Sequence, residues 1–320
     1  MIAITQYTFT ITSIAFLTTS LRDVCSKASY GSDVVIESKS AYEVGDLRYI
    51  WTYGVVLVCL LSMLAWVRNI AVFSFTFLIA NILLLSTVVI VCAYSTSKLI
   101  TDGINESVEA INLKGVWTML GFAVYVFEGI GILMPVMQAC DCPEKFSDIL
   151  NAALMTLCSA FAIFGTLSYL AFGNMKAQMA TQMLPQGDLI VKMMIVGYVV
   201  LLVFSYPLTI NPTNTIIDFY TSEKCMKKSS TCRTYVKNIS RVITCLTAAY
   251  LGIEFADKLD KVIGLLGALF CAPVAMILPA FCHLVLVAKT QREKFMDIIT
   301  VVFSTVLMIF CIGTTLFGTE

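Results

Sequence analysis

Charge is what this chain has least of. Asp, Glu, Lys and Arg together supply 13% of its 320 residues, while 58% are hydrophobic. An average soluble domain is about a quarter charged, so the balance excludes a soluble protein and points to a chain that crosses a membrane repeatedly. The charges cancel to a net of zero, which removes the usual electrostatic reason to expect nucleic acid as a partner. There is one histidine, and no His/Cys cluster falls at zinc spacing, so no metal is expected. A nucleophile–base pair and a phosphate-binding loop are also missing, which argues against an enzyme and leaves no cofactor to place. The first apolar run, 2–21, has no Lys or Arg before it. It therefore lacks the basic flank of a signal peptide and reads as a genuine helix, or one cut short at its start.

What is present is a series of apolar runs. A helix needs about 20 apolar residues to cross the hydrocarbon of a bilayer. Nine runs approach that length: 2–21, 50–67, 70–94, 115–138, 149–172, 189–211, 239–256, 262–287 and 295–317. Without water in the bilayer, backbone groups must pair within the segment, so the runs are expected to be helices, and the fold all-α and polytopic. The connectors are polar and mostly short, and 22–49 is the longest extramembrane loop. Of the 12 cysteines, Cys59, Cys92, Cys158, Cys245, Cys271, Cys282 and Cys311 sit inside apolar runs as small hydrophobes. Cys140, Cys142, Cys225 and Cys232 lie in connectors and are expected to be free thiols, since their spacing fits no usual site.

Basic residues divide almost evenly between the two sides, so the positive-inside rule alone does not orient the chain. Two weaker signs make the side of the N-terminus cytoplasmic. The densest basic cluster (Lys224, Lys227, Lys228, Arg233, Lys237, Arg241) falls on it, and the sequon Asn105-Glu106-Ser107 falls opposite. A second sequon, Asn238-Ile239-Ser240, lies on the basic side, so the sequons alone prove little.

Glu128 lies near the middle of the fourth run, within "YVFEGIGILMP" (125–135). A carboxylate at bilayer depth is costly and faces a protein interior or a wet cavity. Gly129 and Gly131 follow it, and Gly is the poorest helix former after Pro. Pro135 has no amide hydrogen and frees the Gly131 carbonyl. The pattern predicts a helix interrupted near its middle, the device by which secondary transporters build a site at the midplane. A second reading stands beside it: Glu128 bonds a neighbouring helix and only glues the bundle, with the glycines allowing close packing.

Other polar residues lie at depth. Asn81 is in the third run. At 204–214, "FSYPLTINPTN", Pro207 and Pro212 bracket Ser205, Tyr206, Asn211, Thr213 and Asn214. The plain expectation there is a helix ending at proline, with a gate as the alternative. Glu254 is expected to reach the interface, and His283 to be a hydrogen-bonded packing residue rather than a proton carrier.

Five stretches, in this order, carry a family resemblance: "WVRNIAVFSFTFLIANILLLS" (66–86), "FAVYVFEGIGILMPV" (122–136), "GTLSYLAFGNMKAQMATQMLP" (165–185), "LLVFSYPLTINPTNTIID" (201–218) and "LDKVIGLLGALFCAPVAMILPAFCHL" (259–284). The chain resembles the amino acid/auxin permease family, which includes proton-coupled and vacuolar amino acid transporters. In the third stretch Ser168 stands where that family's Gly-Tyr-x-x-Phe-Gly pattern has its first Gly.

The resemblance implies a LeuT-type fold of eleven helices, ten of them in two inverted sets of five, with the first and sixth broken. Residues 115–138 then correspond to the sixth helix and 2–21 to the third. The first two helices are absent, so the expectation is a single, N-terminally truncated transporter domain over 1–320, comprising family helices three to eleven. A gene model short of its 5′ end is the favoured explanation, and the 320-residue chain alone is expected to transport poorly. The implied function is secondary active, alternating-access transport of amino acids, with a proton as coupling ion and sodium as the alternative. The resemblance places substrate at Tyr125, Phe127, Glu128, Gly129 and Gly131, and offers Glu128, Asn81, Ser205 and Tyr206 as proton or gating residues. Plasma, vacuolar and lysosomal membranes all remain open. The rival reading is a non-transporting membrane protein, a sensor or assembly partner.

Overall fold

The computed structural model describes residues 2–30, 46–67, 74–110, 113–129, 133, 137, 140, 142–173, 179–185, 187–222, 230–255 and 259–317. Gly131, Pro135, Cys225 and Asp257 lie outside the described residues, and so does the greater part of the 22–49 loop.

Nine helices appear among the described residues. They are α1 (Ile2–Tyr30), α2 (Asp46–Ala65), α3 (Ser74–Asp102), α4 (Leu113–Phe127), α5 (Phe146–Phe172), α6 (Leu189–Ser222), α7 (Ser230–Glu254), α8 (Leu259–Leu286) and α9 (Gln291–Phe317). Each falls on one of the nine apolar runs, and no strand is present among the described residues. Among the described residues, five spans are long and apolar enough to cross a membrane: Phe75–Asp102, Pro143–Phe172, Leu189–Tyr220, Leu259–Leu286 and Gln291–Gly313. α1 is diluted by threonine, and α7 carries Lys237, Arg241 and Glu254.

The helix ends follow from local chemistry. Gly103 after α3 and Gly173 after α5 take positive φ (78° and 64°) and turn their amides back onto Leu99 and Tyr169. A Thr290/Glu293 capping box opens α9: the Glu293 amide donates to the Thr290 hydroxyl at 3.3 Å, and the Glu293 carboxylate accepts the Lys289 and Thr290 amides at 2.9 and 3.1 Å.

The expectation that the sixth run ends at its prolines is corrected. α6 continues as one helix through Pro207 and Pro212 to Ser222. Each proline frees a carbonyl, those of Val203 and Leu208, but in hydrocarbon an unwound backbone costs more than a defect inside a helix. Hydroxyls nearby add bonds of their own: Thr209 donates to the Ser205 carbonyl at 3.3 Å and Thr215 to that of Asn211 at 2.9 Å.

The chain divides into two compact units. The first holds Met1–Thr12, Ala110–Cys140 and Asp257–Glu320; the second holds Ser13–Glu109 and Asp141–Ala256. In the first, α4 packs on α8 and α9. Gly121 and Gly267 bring α4 and α8 together: a Cβ on Gly267 would strike the Gly121 carbonyl, and a Cβ on Gly121 would meet the Gly264 carbonyl at 2.7 Å. In the second, α3 packs on α5 and α6, and α2 and α7 pack on each other and on α6. Both units are apolar outside. Leu78, Ile82, Leu85 and Val89 of α3 are exposed, and none of the apolar window of α5 is buried. Lipid solvates such faces, as water does not.

Candidate functional site

α4 ends at Phe127, and Glu128 and Gly129 are not helical. Beyond it Leu133 and Met137 are helical again, and the Leu133 amide donates to the Gly129 carbonyl at 3.0 Å. The helix is therefore interrupted at Glu128-Gly129, as the Glu-Gly-x-Gly pattern predicts. Glu128 is 9% exposed.

The surroundings of Glu128 come from α1 and α8. Gln6 Nε2 donates to Glu128 Oε2 at 3.5 Å. Tyr125 is buried, one helical turn before the break. Its ring lies on Phe9 with centroids 4.6 Å apart, and its hydroxyl donates to Thr12 Oγ1 at 2.6 Å. Tyr125 and Cys271 both lie within electrostatic reach of Glu128. The Thr5 hydroxyl donates to the Phe270 carbonyl at 3.4 Å, joining α1 to α8 beside Cys271.

α1 is inside out relative to a helix in water. Thr5, Gln6, Thr8, Thr10 and Thr12 are buried, whereas Ile2 and Ile4 are exposed. The hydroxyls bond back along the helix, Thr8 to the Thr5 carbonyl at 2.7 Å and Thr12 to that of Thr8 at 2.9 Å, so a polar face enters the interior with its donors occupied. α8 changes pitch opposite it. It is α-helical over Leu259–Leu266, π-helical over Gly267–Cys271 and Pro273–Ile277, and α-helical again over Leu278–Leu286. Pro273 cannot donate, and widening the turn there reassigns the bonds of a helix that keeps going.

The structure thus brings Tyr125, Glu128 and Gly129 together with Gln6, Phe9, Thr12, Phe270 and Cys271. Phe127 is 43% exposed, and Gly131 is not described. Asn81, Ser205 and Tyr206 belong to the second unit. Asn81 is exposed on α3, Ser205 is half-buried, and Tyr206 is buried with its hydroxyl on Cys245 Sγ at 3.2 Å. His283 has Nδ1 2.7 Å from Asp297 Oδ2, bonded as expected, but its side chain is exposed rather than packed inside. Sequence reasoning missed Gln6 and the threonine face of α1, although Thr5, Thr8 and Thr12 at i, i+3 and i+7 mark one helical face.

Residues 1–317 match the family described as Transmembrane amino acid transporter protein. The chain belongs to that family. Among similar proteins, Vacuolar amino acid transporter 4 of Saccharomyces cerevisiae is 29% identical over 274 residues, covering 77% of this chain and 37% of the relative. Vacuolar amino acid transporter 3 of the same yeast is 28% identical over 262 residues, 80% of this chain and 38% of the relative. Vacuolar amino acid transporter 3 of Schizosaccharomyces pombe is 24% identical over 254 residues, 79% and 38%. The chain spans under two-fifths of the length of these curated relatives. The family is one of transporters rather than enzymes, and its member here is an integral, multi-pass membrane protein.

Proposed function

We propose that this chain carries the translocation site of a secondary active amino acid transporter that works by alternating access, its helices filling the places of the family's third to eleventh. The observation that supports this most is the interruption of α4 at Glu128-Gly129 beside a buried polar face. The last carbonyls of a helix have no partner within it and form the negative end of its dipole. Those before Phe127, with the Glu128 carboxylate, suit the ammonium of a zwitterion. The backbone at Gly129 and Gly131 cradles its carboxylate, and Tyr125 and Phe127 shape the room for its side chain. The resemblance supports a proton as the coupling ion, with sodium as the alternative. Glu128 is the acid placed to carry the proton, and Asn81, Ser205 and Tyr206 are gating candidates.

The test is uptake of labelled neutral L-amino acids into liposomes with an imposed pH gradient, by the chain alone and by the chain joined to a segment carrying the family's first two helices. Uptake by the joined form is expected to exceed that of the chain alone. Glu128→Gln, which keeps the side chain's size and removes its proton, should flatten the pH dependence. No uptake by either form contradicts the reading, and uptake by Glu128→Gln with unchanged pH dependence leaves Glu128 as glue between α4 and α1.

A further inference from the structure

The polar end of α6 holds buried groups that the site described above does not use. Thr213 and Asn214 follow Pro212, and Asp218 lies at i+4 from Asn214, on the same face of the helix. Arg241 of α7 meets that face. Its Nη2 donates to Asp218 Oδ2 at 2.7 Å, and its Nη1 donates to the Ala65 and Trp66 carbonyls at the end of α2, at 2.9 and 3.4 Å. All of these residues belong to the second unit. Thr213 and Asn214 are each 2% exposed, Arg241 4% and Asp218 8%.

Each of the four keeps one buried atom with no partner in the protein: Thr213 Oγ1, Asn214 Oδ1, Asp218 Oδ1 and Arg241 Nε. Nε and Nη2 form one edge of the guanidinium, which a carboxylate can meet with both of its oxygens. Asp218 meets that edge with one oxygen only. The other half of the fork, Nε and Oδ1, stays open, although closing it would add a charge-assisted bond. Covalent geometry holds those two atoms near each other, and Asn214 stands one turn away. Thr213 also differs from its neighbours. Thr209 and Thr215 of α6 and Thr244 and Thr247 of α7 donate to carbonyls of their own helices, whereas the Thr213 hydroxyl does not.

Buried polar atoms are bonded either to protein or to ordered water, because leaving one unbonded costs its full desolvation. The four atoms sort into two acceptors, Asn214 Oδ1 and Asp218 Oδ1, and two donors, the Arg241 Nε–H and the Thr213 hydroxyl. A cation there would lie against the guanidinium and could accept nothing from Nε–H. An anion would lie against the carboxylate and the amide oxygen. A water is neutral and has two hydrogens and two lone pairs, and buried waters make up to four bonds. We propose that α6 and α7 enclose a tightly bound water that donates to Asn214 Oδ1 and Asp218 Oδ1 and accepts from Arg241 Nε and the Thr213 hydroxyl. The water closes the open half of the fork, so that Arg241 holds the end of α2 through Nη1 and holds α6 through Nη2 and the water. It is a feature of this three-helix junction and needs no transport activity.

The test is the thermal unfolding midpoint of the full chain in lipid nanodiscs, compared with that of Thr213→Val, which keeps the side chain's shape and replaces only the hydroxyl. A hydroxyl bound to water is lost at a cost, so the midpoint should fall by a few degrees. Thr244→Val, which loses a bond to the Ser240 carbonyl, gives the size of fall expected for one such hydroxyl. A hydroxyl without a partner is better replaced by a methyl, so a midpoint that rises or stays in Thr213→Val overturns the water. The parent's midpoint should be the same in sodium chloride and in choline gluconate of equal ionic strength. A rise with sodium or chloride that Thr213→Val abolishes would place an ion there and overturn the water as well. Solid-state NMR of the parent chain with isotope-labelled arginine reads the site directly. Magnetisation from water should reach the buried Arg241 Nε, and its failure to do so contradicts the proposal even if Thr213→Val does not fold.

Discussion

Arg241 and Asp218 meet at 2.7 Å with both residues buried, and the same guanidinium donates to the Ala65 carbonyl at 2.9 Å. One charge therefore ties α7 to α6 and closes the end of α2. Removing one partner of a buried pair strands the other. Arg241→Met is expected to destabilise the protein by about 3–5 kcal/mol, read as a loss of thermal stability in detergent. Arg241→Met combined with Asp218→Leu should recover most of that, because a well-packed apolar pair often equals a buried ionic one. No recovery would place the effect in the bonds to the end of α2 instead. Tyr125→Phe removes only the bond to Thr12 and should cost about 1 kcal/mol by the same measurement. At this scale the burial of Glu128 was legible, because an acid in an apolar run faces the protein interior or a wet cavity rather than lipid. Gln6 was not, since a neutral amide near the start of a run reads as an interfacial residue until α4 is seen beside it.

Among the helices, α4 was the most readable, because the poor helix formers after Glu128 agree with one another and the helix stops where they begin. α6 was misread by the same kind of signal. Pro207 and Pro212 mark ends in water, but there is no water in hydrocarbon to take over the freed backbone groups. The π segments of α8 had no sequence signature beyond Pro273, since they depend on what α8 packs against. The glycines separate the two uses of that residue. Gly267→Ala drives a methyl into the α4 backbone at Gly121 and should cost about 1–3 kcal/mol, as overpacking does. A Cβ on Gly129 meets nothing within 4 Å, so Gly129→Ala should keep the stability of the parent. Equal losses from the two, measured side by side, would contradict this assignment of packing to one and an open break to the other.

For the whole molecule, composition alone carried the fold class: with so little charge, the nine runs had to be buried in lipid, and the structure puts a helix on each. The grouping into two units was not legible, because it depends on which helix faces meet and not on how apolar each helix is. The central claim is that the interruption at Glu128-Gly129 opens onto a chamber that holds a small zwitterion. Its most direct test is Gly129→Cys in lipid, treated with a water-soluble maleimide and read by peptide mass, with native Cys271, fully buried, as the internal reference. The account predicts that the new thiol reacts much faster than Cys271 and is slowed by a mixture of neutral L-amino acids. A thiol at 129 as unreactive as Cys271 and indifferent to amino acids would contradict it.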